Sequence, residues 1–153
     1  MLALAAAVSG TAEAAPAAGT QSSPSRSEAT LLQAINETRR ARGLPQLRVD
    51  ATLHRAARAH SRDMIRRGYF DHGAFGSRLT RFGVRGSMMG ENLAASPGHG
   101  TQARQIVRMW LGSAGHRANL LHPAFSRIGI GALPGRLPGL GKVRVITADF
   151  AAN

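Results

Sequence analysis

Three short segments of this chain carry residue types that can bind a metal or move a proton: Gly68-Tyr69-Phe70-Asp71-His72, Gly90-Glu91-Asn92, and Trp110-Leu111-Gly112-Ser113-Ala114-Gly115-His116. Two imidazoles and a carboxylate this far apart in sequence act together only where a fold joins them. His72 and His116 as a neutral imidazole pair make a reasonable divalent-metal site, with Zn2+ the first choice. Glu91 then serves as a third ligand or orients one imidazole from behind. The purely structural reading is that the three groups hydrogen-bond one another and hold the surrounding loops. Glu91 would then pair with a protonated histidine and raise its pKa. Ser113 invites a reading as a nucleophile with His116 as its base. Nothing orients the imidazole as a triad requires, so Ser113, three residues before His116 at a helix start, reads as an N-cap. Asn92 reads as a partner for backbone groups beside Glu91.

The elements that must position these residues follow from periodicity. Ser27-Glu28 opens a helical pattern with Leu31, Leu32, Ile35 and the aliphatic stem of Arg39 on one face, stopped by Gly43. Leu44-Pro45-Gln46-Leu47 is a turn. Asp50 is the expected N-cap of a second helix over 51–67, ended by Gly68. Leu53, Ala56, Ala57, His60 and Met64 form its inner face, which makes His60 a hydrogen-bonded core residue. Residues 73–100 are rich in Gly and Ser and read as a long irregular loop, anchored by Leu79, Phe82, Val84 and Met88. Within it, 91–94 has the character of a short strand. Thr101 is the expected cap of a third helix reaching about Leu111, with Ile106, Val107 and Trp110 inward. A short fourth helix carries His116, Asn119, Leu120 and Leu121. Strand patterns at 127–133 and 142–150 close the chain, joined by a long Pro/Gly-rich hairpin loop. Helices first and strands last predict an α+β layered domain with antiparallel pairing. His54, His99 and His122 have no supporting pattern, although His99 sits between two glycines in the loop.

At 153 residues the chain has room for one domain with a single core. It has no Cys, which excludes disulfides, thiol nucleophiles and cysteine metal sites. The formal charge of +12 comes almost wholly from arginine, since Lys142 is the only lysine. Such a charge draws polyanions, but no basic run marks a polybasic tail. Arg39, Arg40 and Arg42, and likewise Arg62, Arg66 and Arg67, fall on amphipathic helices, where arginine ordinarily covers the solvent face. Residues 2–8 are an apolar run followed by the small-x-small signal Ala12-Glu13-Ala14. We read residues 1–14 as a secretory signal peptide. Its start is atypical or truncated, because no Lys or Arg precedes the apolar run. The run is too short for a transmembrane segment, which needs about 20 apolar residues. Residues 15–26 read as a disordered linker, and 27–153 as the domain.

Taken in order, Gly68-Tyr69-Phe70-Asp71-His72, Gly90-Glu91-Asn92-Leu93-Ala94, Trp110 to His116 with Arg117-Ala118-Asn119-Leu120-Leu121, and Ile128-Gly129-Ile130-Gly131 resemble the CAP (SCP-like) superfamily of cysteine-rich secretory, antigen and pathogenesis-related proteins. The match is to its bacterial, secreted, cysteine-free branch and spans roughly residues 31–150. The resemblance implies an α-β-α sandwich with a central antiparallel sheet and a large cleft. It also implies a cleft tetrad of two His and two acids, onto which His72, Glu91 and His116 map. The second acid, three residues after the tryptophan, is replaced by Ser113, which weakens any mechanism that needs paired carboxylates. The expected function is a secreted, monomeric module binding a small apolar or anionic ligand, such as a lipid, with Zn2+ or another divalent metal as candidate cofactor. Lipid headgroups or an anionic envelope polymer are further candidate partners; sequence-specific nucleic acid is not expected. The alternative is a metal-assisted hydrolase or protease using the same cleft.

Overall fold

The computed structural model describes residues 23–97 and 102–153. The signal-peptide segment 1–14, the linker up to residue 22, His99 and the expected cap Thr101 lie outside the described residues. The elements are α1 (Arg26–Arg40), β1 (Arg48–Val49), α2 (Ala51–Arg67), α3 (Phe75–Arg81), β2 (Met89–Pro97), α4 (Ala103–Gly112), α5 (Ala114–Leu120), β3 (Arg127–Leu137) and β4 (Gly141–Ala151). The four strands form one sheet in the order β1-β3-β4-β2. The three long strands pair antiparallel, while the short β1 runs parallel to β3 and makes the sheet mixed.

Alternation along the central strand β4 divides the molecule into layers. Ile146, Ala148 and Phe150 point to one face, where they pack with Leu31 and Ile35 of α1, Trp110 of α4 and Leu120 of α5. Val143, Val145 and Ala151 point to the other, where α2 lies with Leu53, Ala56 and Met64. The result is helices on both sides of a sheet, an α-β-α sandwich.

The second helix has the bounds its caps dictate. Asp50 Oδ1 accepts from the backbone N–H of Thr52 at 2.8 Å and of Leu53 at 3.0 Å, and Gly68 ends the helix at φ 68°. The inner face expected for it is buried throughout. Glycines set how closely this helix approaches the sheet. A Cβ on Gly129 would stand 2.0 Å from the Leu53 carbonyl carbon, and one on Gly131 would stand 2.6 Å from that of Ala57. The Gly-x-Gly of β3 is therefore a track on which the α2 backbone rests.

Arg39 departs from the solvent-covering role expected of the arginine sets. It is fully buried, without a carboxylate partner among the described residues, and its guanidinium binds four carbonyls. Nε donates to Pro45 at 2.9 Å, Nη1 to Leu120 at 2.9 Å and His122 at 3.1 Å, and Nη2 to Phe125 at 3.1 Å. It ties the end of α5 and the following turn to α1, placing positive charge where helix carbonyls lack partners.

The loop expected over 73–100 is instead α3 followed by a nine-residue strand, β2. Leu79 and Val84 are its buried anchors, whereas Met88 is 44% exposed. Gly-rich composition masked these elements because their support is tertiary: β2 pairs with β4 along its whole length. The long hairpin loop expected after residue 133 is also absent. Pairing of β3 and β4 continues to Leu137 and Gly141, and Gly139 at φ 76° and Gly141 at φ 69° close the turn. β1, just beyond the expected turn at 44–47, is too short to carry a period.

Gly131→Ala is expected to lower stability by at least about 2 kcal/mol through backbone overlap. Gly76→Ala, on α3 with nothing within 4 Å of the added methyl, should raise it by roughly 0.5–1 kcal/mol. Arg39→Lys should cost about 2–4 kcal/mol, since one ammonium cannot serve four carbonyls in a planar array. Urea midpoints read all three.

Candidate functional site

His72 and Glu91 meet, with Nδ1 2.7 Å from Oε1, and β2 places both Glu91 and its neighbour Asn92. Alternation sends Glu91 toward α2 and α3, and Asn92 toward α5. The outer edge of β2 would expose unpaired carbonyls, but two of the motif residues cover them. The Trp110 indole donates to the Leu93 carbonyl at 2.9 Å, and Asn119 Nδ2 donates to the Glu91 carbonyl at 3.0 Å. Asn119 Nδ2 also donates to Asn92 Oδ1 at 3.1 Å, while Asn92 Nδ2 donates to the His116 carbonyl at 2.9 Å. Gly90 makes room for this, since a Cβ there would stand 2.7 Å from Asn119 Oδ1. Much of the Trp110–Leu121 wording thus seals a sheet edge and fixes the backbone of His116. Trp110 and Asn92 have the core and backbone-satisfying roles expected of them.

Glu91 is nearly buried, and both its oxygens are engaged. Oε1 lies 2.7 Å from His72 Nδ1 and Oε2 is bonded by Arg78 Nη2. The His72 ring itself is about half exposed. With Nδ1 turned to the carboxylate, Nε2 is the nitrogen left for anything outside. His116 is partly buried; burial and then the nearby charge of His72 lower its pKa. No hydrogen bond to the His116 ring is present among the described residues.

Two participants had not been expected. Arg78, from the segment read as loop, also donates to the His72 carbonyl at 3.2 Å and to Asp149 Oδ1 at 3.3 Å. Asp149 is fully buried and stands opposite Glu91 in the β2–β4 register. Because the Glu91 carbonyl points outward to Asn119, this is a pair of the closer antiparallel kind. Burial raises the pKa of Glu91, partly offset by Arg78. Burial also raises that of Asp149 well above the ordinary carboxylate range, with Arg78 opposing and Glu91 reinforcing. Two buried carboxyls beside one guanidinium make charge on both costly, and the upward push is the stronger on Asp149. The signal for Asp149 was present in the chain: a lone acid between Ala148 and Phe150 in a strand pattern. Arg78 had no such signal, because only the fold brings α3 against β2.

Ser113 stands at the N-cap position of α5, but its hydroxyl makes no capping bond. Its carbonyl accepts from Arg117 N at 2.8 Å. His60 is a core residue, as its place on α2 implies, and its Nε2–H donates to the Asp71 carbonyl at 3.0 Å. Its Nε2 is also 3.8 Å from Glu91 Oε2. His54 is buried too, with its Nε2 3.8 Å from a Glu28 oxygen. Among the described residues, no group of three or more His, Asp or Glu side chains is arranged to hold a metal ion. With Glu91 committed to His72 and Arg78, the donor set open to a metal is His72 Nε2 and His116.

A mixed sheet between helical layers, with His72 backed by a buried glutamate, defines a class of domain. The chain matches the Cysteine-rich secretory protein family, CAP, over residues 32–137 and belongs to that family. The uncharacterized protein YkwD of Bacillus subtilis is 38% identical over 115 residues, covering 72% of this chain and 44% of that protein. An extracellular SCP-domain protein from Bacillus anthracis superposes with a TM-score of 0.66 at 30% identity, covering 80% of this chain and 39% of that one. An outer surface protein from Borrelia burgdorferi shares the fold, with a TM-score of 0.64, 21% identity and coverage of 80% and 90%. The chain thus spans less than half the length of the two Bacillus proteins. No helix among the described residues is long and apolar enough to cross a membrane.

Burial, then Arg78, hold the His60 pKa down from 6.5 to about 4. As pH falls, the unfolded chain takes up this proton first. Stability is therefore lost between pH 6.5 and about 4, by up to about 3 kcal/mol for this group. An NMR titration of the His60 ring should show a midpoint near 4, and urea midpoints should decline over the same window.

Proposed function

We propose that this domain is a secreted small-ligand-binding module whose polar centre is the His72–His116 pair. The observation that carries the reading is the 2.7 Å contact between His72 Nδ1 and Glu91, itself clamped by Arg78. A histidine held this way presents Nε2 outward in a fixed orientation, as carboxylate-backed metal ligands do. A divalent cation, Zn2+ first, would be held by His72 and His116 with water completing its shell. Two protein nitrogens give weak, exchangeable binding, suited to presenting a ligand.

A hydrolase needs a carboxylate able to take a proton from water at the cleft. Glu91 has both oxygens engaged, and Asp149, although a second acid, is sealed inside. This favours binding over metal-assisted hydrolysis. The lipid part of the proposal draws on a second groove of about 560 Å3 between α1 and α4, which His72 and His116 do not line and which has Leu31, Ile106, Ala132 and Ile146 in its lining. Secretion draws on the extracellular and outer-surface character of the relatives named above.

Calorimetric titration with Zn2+ should show binding that falls at least tenfold in His72→Ala and in His116→Ala. Glu91→Gln should weaken it about tenfold, as loss of a group behind a ligand does. Equal affinity in wild type and both histidine variants would remove the metal from the proposal. Mass spectrometry of solvent extracts from the purified protein identifies any carried lipid. Peptide or ester turnover that disappears in Glu91→Gln would instead establish the hydrolase.

A further inference from the structure

The arginines of α2 do more than cover a solvent face. Arg62, Arg66 and Arg67 share an open groove of about 750 Å3 with Arg78 and Arg81 of α3. His72, Glu91 and His116 do not line it, but Arg78, which clamps Glu91, does, so the groove adjoins the ligand site proposed for them. Among the described residues, Asp63 is the one carboxylate in its lining. Arg66 reaches it at 3.0 Å and Arg67 at 3.3 Å, and the Tyr69 hydroxyl donates to it at 2.8 Å. Of the five guanidiniums, Asp63 offsets one and Glu91 another, leaving three in surplus. Arg62 and Arg81 are exposed and have no hydrogen bond or ion pair among the described residues.

A concave surface lined by one sign of charge concentrates counter-ions, and guanidinium matches phosphate in a two-point geometry that ammonium cannot reproduce. Three surplus charges across two helices fit several phosphates in succession better than a single ion. The two aromatic rings in the lining argue against nucleic acid, which binds single-stranded through open stacking faces, since Phe82 packs against the core beneath α3. The Tyr69 ring is covered by the Arg67 guanidinium at 5.4 Å, and its hydroxyl is tied to Asp63. A bilayer surface fits poorly as well, because none of the large exposed apolar side chains lines the groove. We propose that the α2–α3 groove binds a chain of phosphate groups, either inorganic polyphosphate or a phosphodiester polymer, with Arg62 and Arg81 as its principal contacts.

The test is calorimetry at low salt with two probes, tripolyphosphate and a glycerol-phosphate oligomer; their relative affinity assigns the source. Arg62→Gln and Arg81→Gln should each weaken binding about tenfold. Arg136→Gln, on the exposed β3–β4 hairpin and outside the groove, should change it less than twofold. Both groove arginines are exposed, so the variants should keep the wild-type circular dichroism. Wild-type affinity in both groove variants would overturn the proposal. So would equal weakening by Arg136→Gln, which would mean diffuse charge, or tighter binding of an oligothymidylate or of phosphatidylglycerol vesicles than of either phosphate probe.

Discussion

A carboxyl pair buried between sheet and helix is the constraint to which the rest of the site answers. Glu91 and Asp149 face each other on adjacent strands, nearly or wholly out of solvent. Burial opposes negative charge on either carboxyl and a like neighbour adds to the cost, so charge there calls for a cation in contact. Arg78 supplies it, touching both acids and the His72 carbonyl. That demand shapes several neighbouring elements. α3 must lie against β2, the segment before it must carry His72 back over Glu91, and β2 must stay paired along its length.

The helical motif around Trp110 answers the same demand from the other side. β2 is an edge strand, and an edge strand that frayed would release Glu91. The Trp110 indole and the Asn119 amide complete its outward carbonyls, and Gly90 gives that amide room. Residues that look like site residues by position are therefore partly sheet-edge residues by function. The backbone of His116 is held in turn, its carbonyl accepting from Asn92 on the same strand as Glu91. Arg39 has a comparable role further along, where four carbonyl bonds stabilise the turn after α5.

Ser113 took on less than its position offered: it stands where the family's second acid is expected and does not cap its helix through its hydroxyl. The second acid of this chain, Asp149, lies on another strand and inside the protein, where it tunes Glu91 and does not face a ligand. That difference separates a buried support from a catalytic pair.

Local chemistry was enough for α2, whose cap, stop and inner face are consecutive choices along one helix. It was also enough for the α+β class and for the order of the motifs that carry His72, Glu91 and His116. The unread parts were those whose energy is non-local. Residues 73–97 look irregular because Gly and Ser dominate, and strand β2 exists through pairing with β4, far along the chain. The partner of a buried charge is likewise invisible in sequence: Arg78 looks like any surface arginine until α3 meets the sheet. The same holds for the arginines of α2, each solvent-facing on its own helix and convergent with α3 only in the fold. The chain by itself thus determined which side chains could do chemistry. Tertiary structure decided which are buried, which are neutralised and which remain open to a ligand, because desolvation and charge pairing depend on distances that only packing sets.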